Sequence, residues 1–142
     1  MSRPDDTTTA GGDESTHREY VLDVRIVECY SHEGESPRYH FEAPHHEGES
    51  FDDPDLAELY ADVYFDVNGF EEAGTGERGV PPEIIQAGRD TLAAYFLTQP
   101  GTDENWVASF FGVTVEKVDQ YVSWVENRSE EVRHGAKERG IA

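Results

Sequence analysis

The amino-acid sequence predicts an α+β protein with an N-terminal β-hairpin or small sheet, an amphipathic helix and a C-terminal unit of three helices. Three observations support this fold class. β-Branched residues alternate with others over residues 19–30, as in a strand. Residues 54–67 carry apolar side chains at helical spacing. Residues 103–128 have the pattern of two short helices separated by a glycine.

The predicted strands lie in the first third of the chain. Residues 1–17 are polar, and we expect them to form a disordered acidic leader. Residues 19–30 are predicted to be one strand, and the RYHFE segment at 38–42 is its predicted partner in a hairpin with a longer loop. Residues 45–51 are mainly polar and are predicted to be a loop.

Asp53 and Pro54 mark the start of the predicted amphipathic helix, because Asp caps helices well and Pro suits the first helical position. The residues that follow form two stripes, one apolar and one acidic: Leu56, Leu59, Tyr60, Val63, Tyr64 and Val67, against Asp55, Glu58, Asp62 and Asp66. The alternation from Ala61 to Val67 would also suit a strand. Two separated stripes over fourteen residues favour a helix.

The C-terminal half contains three predicted helices. The first opens at Pro82 and runs to about Thr98, with Ile85, Leu92 and Phe96 facing the core. The second and third lie within residues 103–128, and the third continues beyond Arg128. The chain therefore divides into the leader at 1–17, a small α+β part at 18–79 and a helical part at 80–142.

The pair of helices within residues 103–128 has a recognisable spacing. Its pattern-forming positions are Val107, Ala108, Gly112, Val113, Val118 and Tyr121, and Thr114 is placed to cap the second helix. This pattern resembles the helix-turn-helix superfamily. The resemblance implies a DNA-binding unit whose second helix docks in the major groove, and such proteins commonly pair as dimers to contact two half-sites.

The resemblance places five residues of the second helix and its start at the DNA surface: Thr114, Glu116, Lys117, Gln120 and Arg128. Gln pairs well with adenine, and Thr or Lys can contact phosphate or guanine. Arg128, Arg133, Lys137 and Arg139 would add phosphate contacts. The carboxylates of Glu116 and Asp119 oppose this prediction, because they lie on the predicted docking face and repel phosphate.

Charge dominates the composition, with 31 acidic against 11 basic side chains and a net charge of -20 over 142 residues. Dense carboxylate with only two lysines resembles the cytoplasmic proteins of salt-in halophiles. Molar salt shortens the Debye length to ~3 Å and screens the repulsion between these carboxylates. Residues 1–102 carry 23 acidic and 6 basic side chains, whereas residues 103–142 carry 8 and 5. The weaker acidity of the second part favours contact with an anionic partner there.

The single cysteine lies near four histidines, in the set Cys29, His32, His40, His45 and His46. Thiolate and imidazole are zinc ligands, and a hairpin could bring Cys29 opposite His40. Cys29, His32, His40 and His45 are therefore candidate ligands for zinc. The spacing matches no common zinc-finger pattern, so a protein without a cofactor remains the alternative.

The sequence favours a DNA-binding protein over an enzyme, because it has no phosphate-binding glycine loop, nucleophile elbow or HExxH motif. One cysteine and no apolar run long enough for a membrane span indicate a cytoplasmic protein without a membrane partner. We therefore predict a sequence-specific transcriptional regulator, homodimeric on double-stranded DNA and adapted to high salt. The alternative is an acidic protein-interaction module that uses the three-helix unit as a scaffold.

Overall fold

The computed structural model describes residues 13–30, 36–44, 46, 48–67, 69 and 80–140. Within these residues, four strands precede five helices. The strands are β1 (Asp13–Glu19), β2 (Arg25–Tyr30), β3 (Arg38–Glu42) and β4 (Glu49–Phe51). The helices are α1 (Pro54–Asp66), α2 (Pro82–Ala87), α3 (Arg89–Leu97), α4 (Glu104–Phe111) and α5 (Val115–Glu138). The predicted α+β class is confirmed.

The strands form one antiparallel sheet in the order β1-β2-β3-β4. The predicted pairing of residues 38–42 with the preceding strand is confirmed, and Ile26 lies opposite Phe41. Two predictions are wrong. Residues 13–17 belong to β1 rather than to a disordered leader, and residues 49–51 form β4 rather than a loop. Residues 1–12 of the predicted leader lie outside the described residues.

β1 cannot be predicted from hydrophobic periodicity, because none of its residues (DESTHRE) is apolar. It lies at the edge of the sheet and joins it through backbone pairing with β2, from Asp13 opposite Tyr30 to Glu19 opposite Arg25. Backbone hydrogen bonds depend little on side-chain type, so an exposed edge strand leaves no apolar alternation in the sequence.

The chain reverses between β1 and β2, where a single continuous strand was predicted. Leu22 and Asp23 both have φ of 62°. Positive φ at two consecutive residues is typical of tight hairpin turns, in which Asn and Gly are the usual residues. The amide of Val24 donates to the carbonyl of Val21 at 3.4 Å, and that of Tyr20 donates to Val24 at 2.8 Å. Asp23 tolerates this conformation better than Leu22 does, but neither residue is glycine, so the sequence signal for the turn is weak.

α1 forms as predicted, with Asp53 accepting a hydrogen bond from the amide of Asp55 at 2.9 Å and Pro54 in the first turn. It packs on the sheet through aromatic side chains. The ring of Phe41 meets that of Tyr60 edge-on at 5.0 Å, and Phe41 and Tyr60 are both fully buried. The predicted acidic stripe is only partly exposed, because the Asp66 side chain is 3% exposed.

α5 joins two clusters of buried side chains. Val125 packs in the larger cluster with the sheet and α1. Val118 and Tyr121 pack in a smaller cluster with Val107 and Ala108 of α4. The long helix thus connects the N-terminal sheet to the α3–α4–α5 unit. Among the described helices, none is long and apolar enough to cross a membrane.

The helix predicted over residues 82–98 is divided in two. Gly88 has φ of 130° and ψ of 172°, so it separates α2 from α3. The break changes which side chain faces inward, since Ile84 is fully buried whereas Ile85 is 45% exposed. The predicted inward position of Ile85 is wrong, because the helical periodicity does not continue through Gly88.

His46 is half-buried, and its ring packs against those of Phe41 and Tyr60. Its Nδ1 accepts a hydrogen bond from the amide of Gly48 at 2.8 Å, and its Nε2 lies 2.9 Å from the Tyr60 hydroxyl. Acceptance at Nδ1 assigns the ring proton to Nε2 in the neutral form. Burial, followed by the nearby His40, lowers the pKa of His46 to about 4.

We expect Asp23→Gly to raise the free energy of unfolding by about 1 kcal/mol, because a left-handed conformation is unfavourable for any residue with a Cβ. Chemical denaturation at fixed salt measures the change. Asp23→Ala is the matched control, since it removes the same charge but keeps the Cβ. Equal effects of the two substitutions would assign the gain to charge and contradict the turn explanation.

We also expect acid to destabilise the fold through His46. The unfolded chain binds this proton near the ordinary pKa of 6.5 and the folded protein near 4, so stability falls as the pH drops between these values. His46→Gln removes the titration, and the stability advantage of the wild type over this variant should shrink from pH 7 to 4. Urea unfolding across this range measures the difference. An advantage that is independent of pH would contradict the assignment.

Candidate nucleic-acid interface

The turn between α4 and α5 is fixed by backbone hydrogen bonds. Gly112 ends α4 in the left-handed conformation, with φ of 69° and ψ of 37°. The amide of Val113 donates to the carbonyl of Ala108 at 2.9 Å, and the amide of Gly112 donates to Ser109 at 3.2 Å. These two bonds form a Schellman motif, in which an apolar residue after the glycine packs back on the helix. The predicted stop at Gly112 is confirmed.

Thr114 starts α5 as predicted. Its side-chain oxygen accepts a hydrogen bond from the amide of Lys117 at 3.1 Å, so one of the free amides of the first turn is satisfied. The helix therefore has a defined start and orientation. Glu116 and Gln120 are exposed in its first turns, and Lys117 is half-buried.

The Lys117 side of α5 combines a cation with aromatic rings. Lys117 Nζ donates to Gln120 Oε1 at 3.0 Å and lies 5.0 Å from the centre of the Trp124 ring. Arg89, at the start of α3, lies over the ring of Phe111 at 5.6 Å. Sequence patterns did not identify Arg89, because nothing in its neighbourhood predicts that the start of α3 lies beside the end of α4.

The other side of the same helix is acidic. Asp119 and Glu126 of α5 line a groove together with Glu104 of α4. A hydrogen bond between the carboxyl groups of Glu104 and Asp119 raises the pKa of Glu104, and burial and repulsion add to this effect. Asp119 was predicted to face DNA. The structure instead directs it into this groove, away from the Lys117 side.

Arg128 of α5 contacts carboxylates of α1 and α3, and its side chain is 43% exposed. Its Nε lies 2.7 Å from Asp66 Oδ1, and its Nη2 lies 2.8 Å from Asp90 Oδ2. The hydroxyl of Thr91 also donates to Asp66, at 2.7 Å. We call these four residues the Asp66 cluster. Hydrogen bonding to Asp66 is the largest cause that raises the pKa of Arg128.

The predicted phosphate contact by Arg128 is therefore not supported by its position, since its charge is balanced by two carboxylates. Arg133 is held in a similar way, 2.9 Å from Asp62. Burial raises the pKa of Asp62, and hydrogen bonds from Arg133 and Ser129 partly oppose that rise. Neither ion pair was predicted, because helical spacing does not show which neighbouring helix supplies a partner.

Several large aromatic side chains on α4 and α5 are exposed rather than buried in the core. Trp106 and Phe110 on α4 are 43% and 54% exposed, and their rings stack at 5.3 Å with an interplanar angle of 11°. Trp124 on α5 is 40% exposed. The outer face of α4 is thus apolar, whereas the first turns of α5 carry the polar groups.

The predicted zinc ligands are only partly described, because His32 and His45 lie outside the described residues. Cys29 pairs with Arg38 rather than with His40, whose partner on β2 is Val27. The Nδ1 of His40 lies 2.8 Å from the Ser50 hydroxyl. In the part of the chain that the structure describes, no group of three or more His, Cys, Asp or Glu side chains is placed to hold a metal ion.

Comparison of the chain with protein-family models, curated proteins and solved structures finds no significant match. Function is therefore inferred from the geometry and charge of the surfaces described above.

We expect Arg128→Ala to lower the free energy of unfolding by about 1–2 kcal/mol, because it leaves the Asp66 carboxylate without a cation although Arg128 itself is partly exposed. Urea unfolding at constant salt measures the loss. Adding Asp66→Asn to this variant should restore part of the stability, since the amide removes the unpaired charge. If Arg128→Ala alone unfolds like the wild type, the pair behaves as an ordinary surface ion pair and the Asp66 cluster does not stabilise the fold.

Proposed function

We propose that the α4–α5 unit binds double-stranded DNA in a sequence-specific manner. The observation that carries this proposal is the fixed start of α5, where a Schellman turn and the Thr114 cap present Lys117 and Gln120 one turn into the helix. In proteins that dock a helix in the major groove, residues at the start of that helix contact base edges. Because the turn already fixes the direction of α5, binding to DNA does not have to order the backbone there at a further cost in conformational entropy.

The side chains at the start of α5 suit base and phosphate contacts. Gln120 can pair with adenine, Lys117 can donate to guanine, and the carboxylate of Glu116 can accept from the amino group of cytosine. The Thr114 hydroxyl accepts from the helix and still has its own proton to donate to phosphate. The positive end of the helix dipole favours phosphate at the same place.

The local charge supports this assignment better than the net charge of the chain does. Residues 91–115 contain only two charged side chains, Asp103 and Glu104. Lys117 and Arg89 add positive charge beside this neutral segment. Since two cations are available, the logarithm of the binding constant should fall with the logarithm of salt concentration with a slope of only about -2. A small slope suits binding in a salt-rich cytoplasm.

We further propose that the protein is a transcriptional regulator and that it acts as a homodimer in a salt-rich cytoplasm. Two copies of α5 would then contact half-sites about one helical turn of DNA apart. A bound sequence with an inverted repeat would support the dimer, and a single half-site would support a monomer.

We expect Gln120→Ala to weaken operator binding about tenfold and Lys117→Glu to weaken it further, because a bidentate base contact contributes about 1–3 kcal/mol. The operator is first obtained by crosslinking the protein to genomic DNA in its native salt and sequencing the recovered fragments. Binding of the variants to that fragment is then measured by fluorescence anisotropy.

Arg38→Glu provides the matched control, because Arg38 is exposed on β3, outside the α4–α5 unit, and the substitution changes the charge equally. This variant should bind within about twofold of the wild type if base contacts at the start of α5 dominate. Equal binding by all three variants would show that α5 does not dock as proposed. A flat genomic profile would contradict sequence-specific binding altogether.

A further inference from the structure

A groove lies between α1 and α5 on the side opposite Lys117, with the segment that joins α3 to α4 closing one end. Its volume is about 700 Å³. The floor is apolar and consists of half-buried side chains: Leu56 and Leu59 of α1, Leu97 of α3 and Val122 of α5. Leu56 and Leu59 belong to the predicted apolar stripe of α1. Both are partly exposed, so they form an apolar strip that no described side chain covers.

The rim of the groove is acidic. Seven carboxylates line it and no basic residue does: Asp55, Glu58, Asp62, Asp103, Glu104, Asp119 and Glu126. Three of them already have partners, since Glu58 pairs with His17 and Arg18, Asp62 pairs with Arg133, and Asp103 caps α4.

Four carboxylates of the rim have no ion-pair partner within the described residues: Asp55, Glu104, Asp119 and Glu126. Because these carboxylates are close together, the pKa of Glu104 is raised, and its hydrogen bond to Asp119 is the largest cause. Burial and the nearby Asp62 raise the pKa of Glu126. The groove therefore favours an occupant that supplies positive charge.

The spacing of the carboxylates determines what kind of cation fits. No three described His, Cys, Asp or Glu side chains converge closely enough to hold a metal ion. The negative charges instead lie along both edges of an apolar strip. This arrangement matches a peptide helix with leucine-like side chains on one face and Lys or Arg residues flanking them, a common mode of helix recognition. DNA does not fit, because phosphate would be repelled by the rim.

We propose that the groove between α1 and α5 binds a basic amphipathic helix of a partner protein. Apolar side chains of that helix contact Leu56, Leu59 and Val122, and its cations pair with the unpartnered carboxylates of the rim. The site is distinct from the DNA surface proposed for Lys117 and Gln120, so either function can fail without the other.

A synthetic helix of about eighteen residues, with leucine on one face and lysine on the other, is a suitable probe because this length spans about five turns. Its binding to the full chain is measured by fluorescence anisotropy in about 2 M KCl, where long-range attraction to the net charge is screened. A second peptide, with serine in place of leucine, has the same charge. We expect it to bind at least about tenfold more weakly, since it lacks the apolar contact.

In about 0.5 M KCl, the triple variant Glu104→Gln, Asp119→Asn and Glu126→Gln should weaken binding of the leucine peptide roughly tenfold, because three exposed charge pairs together contribute about that factor when salt screens them less than at about 2 M. Glu130→Gln with Glu131→Gln and Glu138→Gln is the matched control on exposed positions of α5. It should bind within about twofold of the wild type, since its carboxylates lie outside the groove. Circular dichroism verifies that both variants are folded.

Two outcomes would overturn the proposal. Equal binding of the leucine and serine peptides would indicate attraction to the net charge alone. Equal weakening by the groove and control variants would show that the site is elsewhere on the acidic surface. A photoreactive version of the leucine peptide locates the binding site independently. Crosslinks are expected on α1 and on residues 119–126 of α5. Crosslinks confined to other elements would contradict binding in the groove.

Discussion

The packing of α5 against α1 is the interaction on which the rest of the structure depends, and the Asp66 cluster holds it in register. Asp66 is almost completely buried, so its carboxylate needs a cation from a neighbouring element. Arg128 supplies that cation and also reaches Asp90 at the start of α3. One guanidinium thus connects α1, α3 and α5. Since α5 carries Val125 in the sheet-side cluster and Val118 in the α4 cluster, fixing this helix also fixes the two clusters relative to each other.

This arrangement divides α5 into two regions with different roles. From Val125 onward, its cations and buried side chains stabilise the fold, since Arg128 and Arg133 are balanced by carboxylates of α1 and α3. Before Val125, its polar side chains do not hold α1. Lys117 contacts Gln120 and the ring of Trp124 within α5 itself. Side chains that are not required for packing are the ones available for a ligand, so the α5 residues of both proposed surfaces lie before Arg128.

The sequence predicted the elements whose determinants are local and missed those whose determinants are distant. Asp53 before Pro54, and Gly112 before Thr114, are short-range signals, and the helix ends lie there as predicted. β1 depends on pairing with β2, the turn at Leu22 and Asp23 lacks the usual glycine, and His46 is half-buried through contacts with Phe41 and Tyr60. At the candidate site, the start of α5 was predictable. The assignment of Arg128 was not, because its partner Asp66 lies 62 positions earlier in the chain.

A net charge of -20 does not prevent one helix from having two opposite surfaces when salt is high. In molar salt the Debye length is ~3 Å, which is shorter than the width of a helix, ~10 Å. The potential at Lys117 would then be set by its nearest neighbours, namely Glu116, Gln120 and the rings of Tyr121 and Trp124, rather than by the carboxylates across α5. In dilute buffer the Debye length exceeds the helix width, and the groove carboxylates would repel phosphate from the Lys117 side as well. High salt would therefore be needed for the two proposed surfaces to act independently.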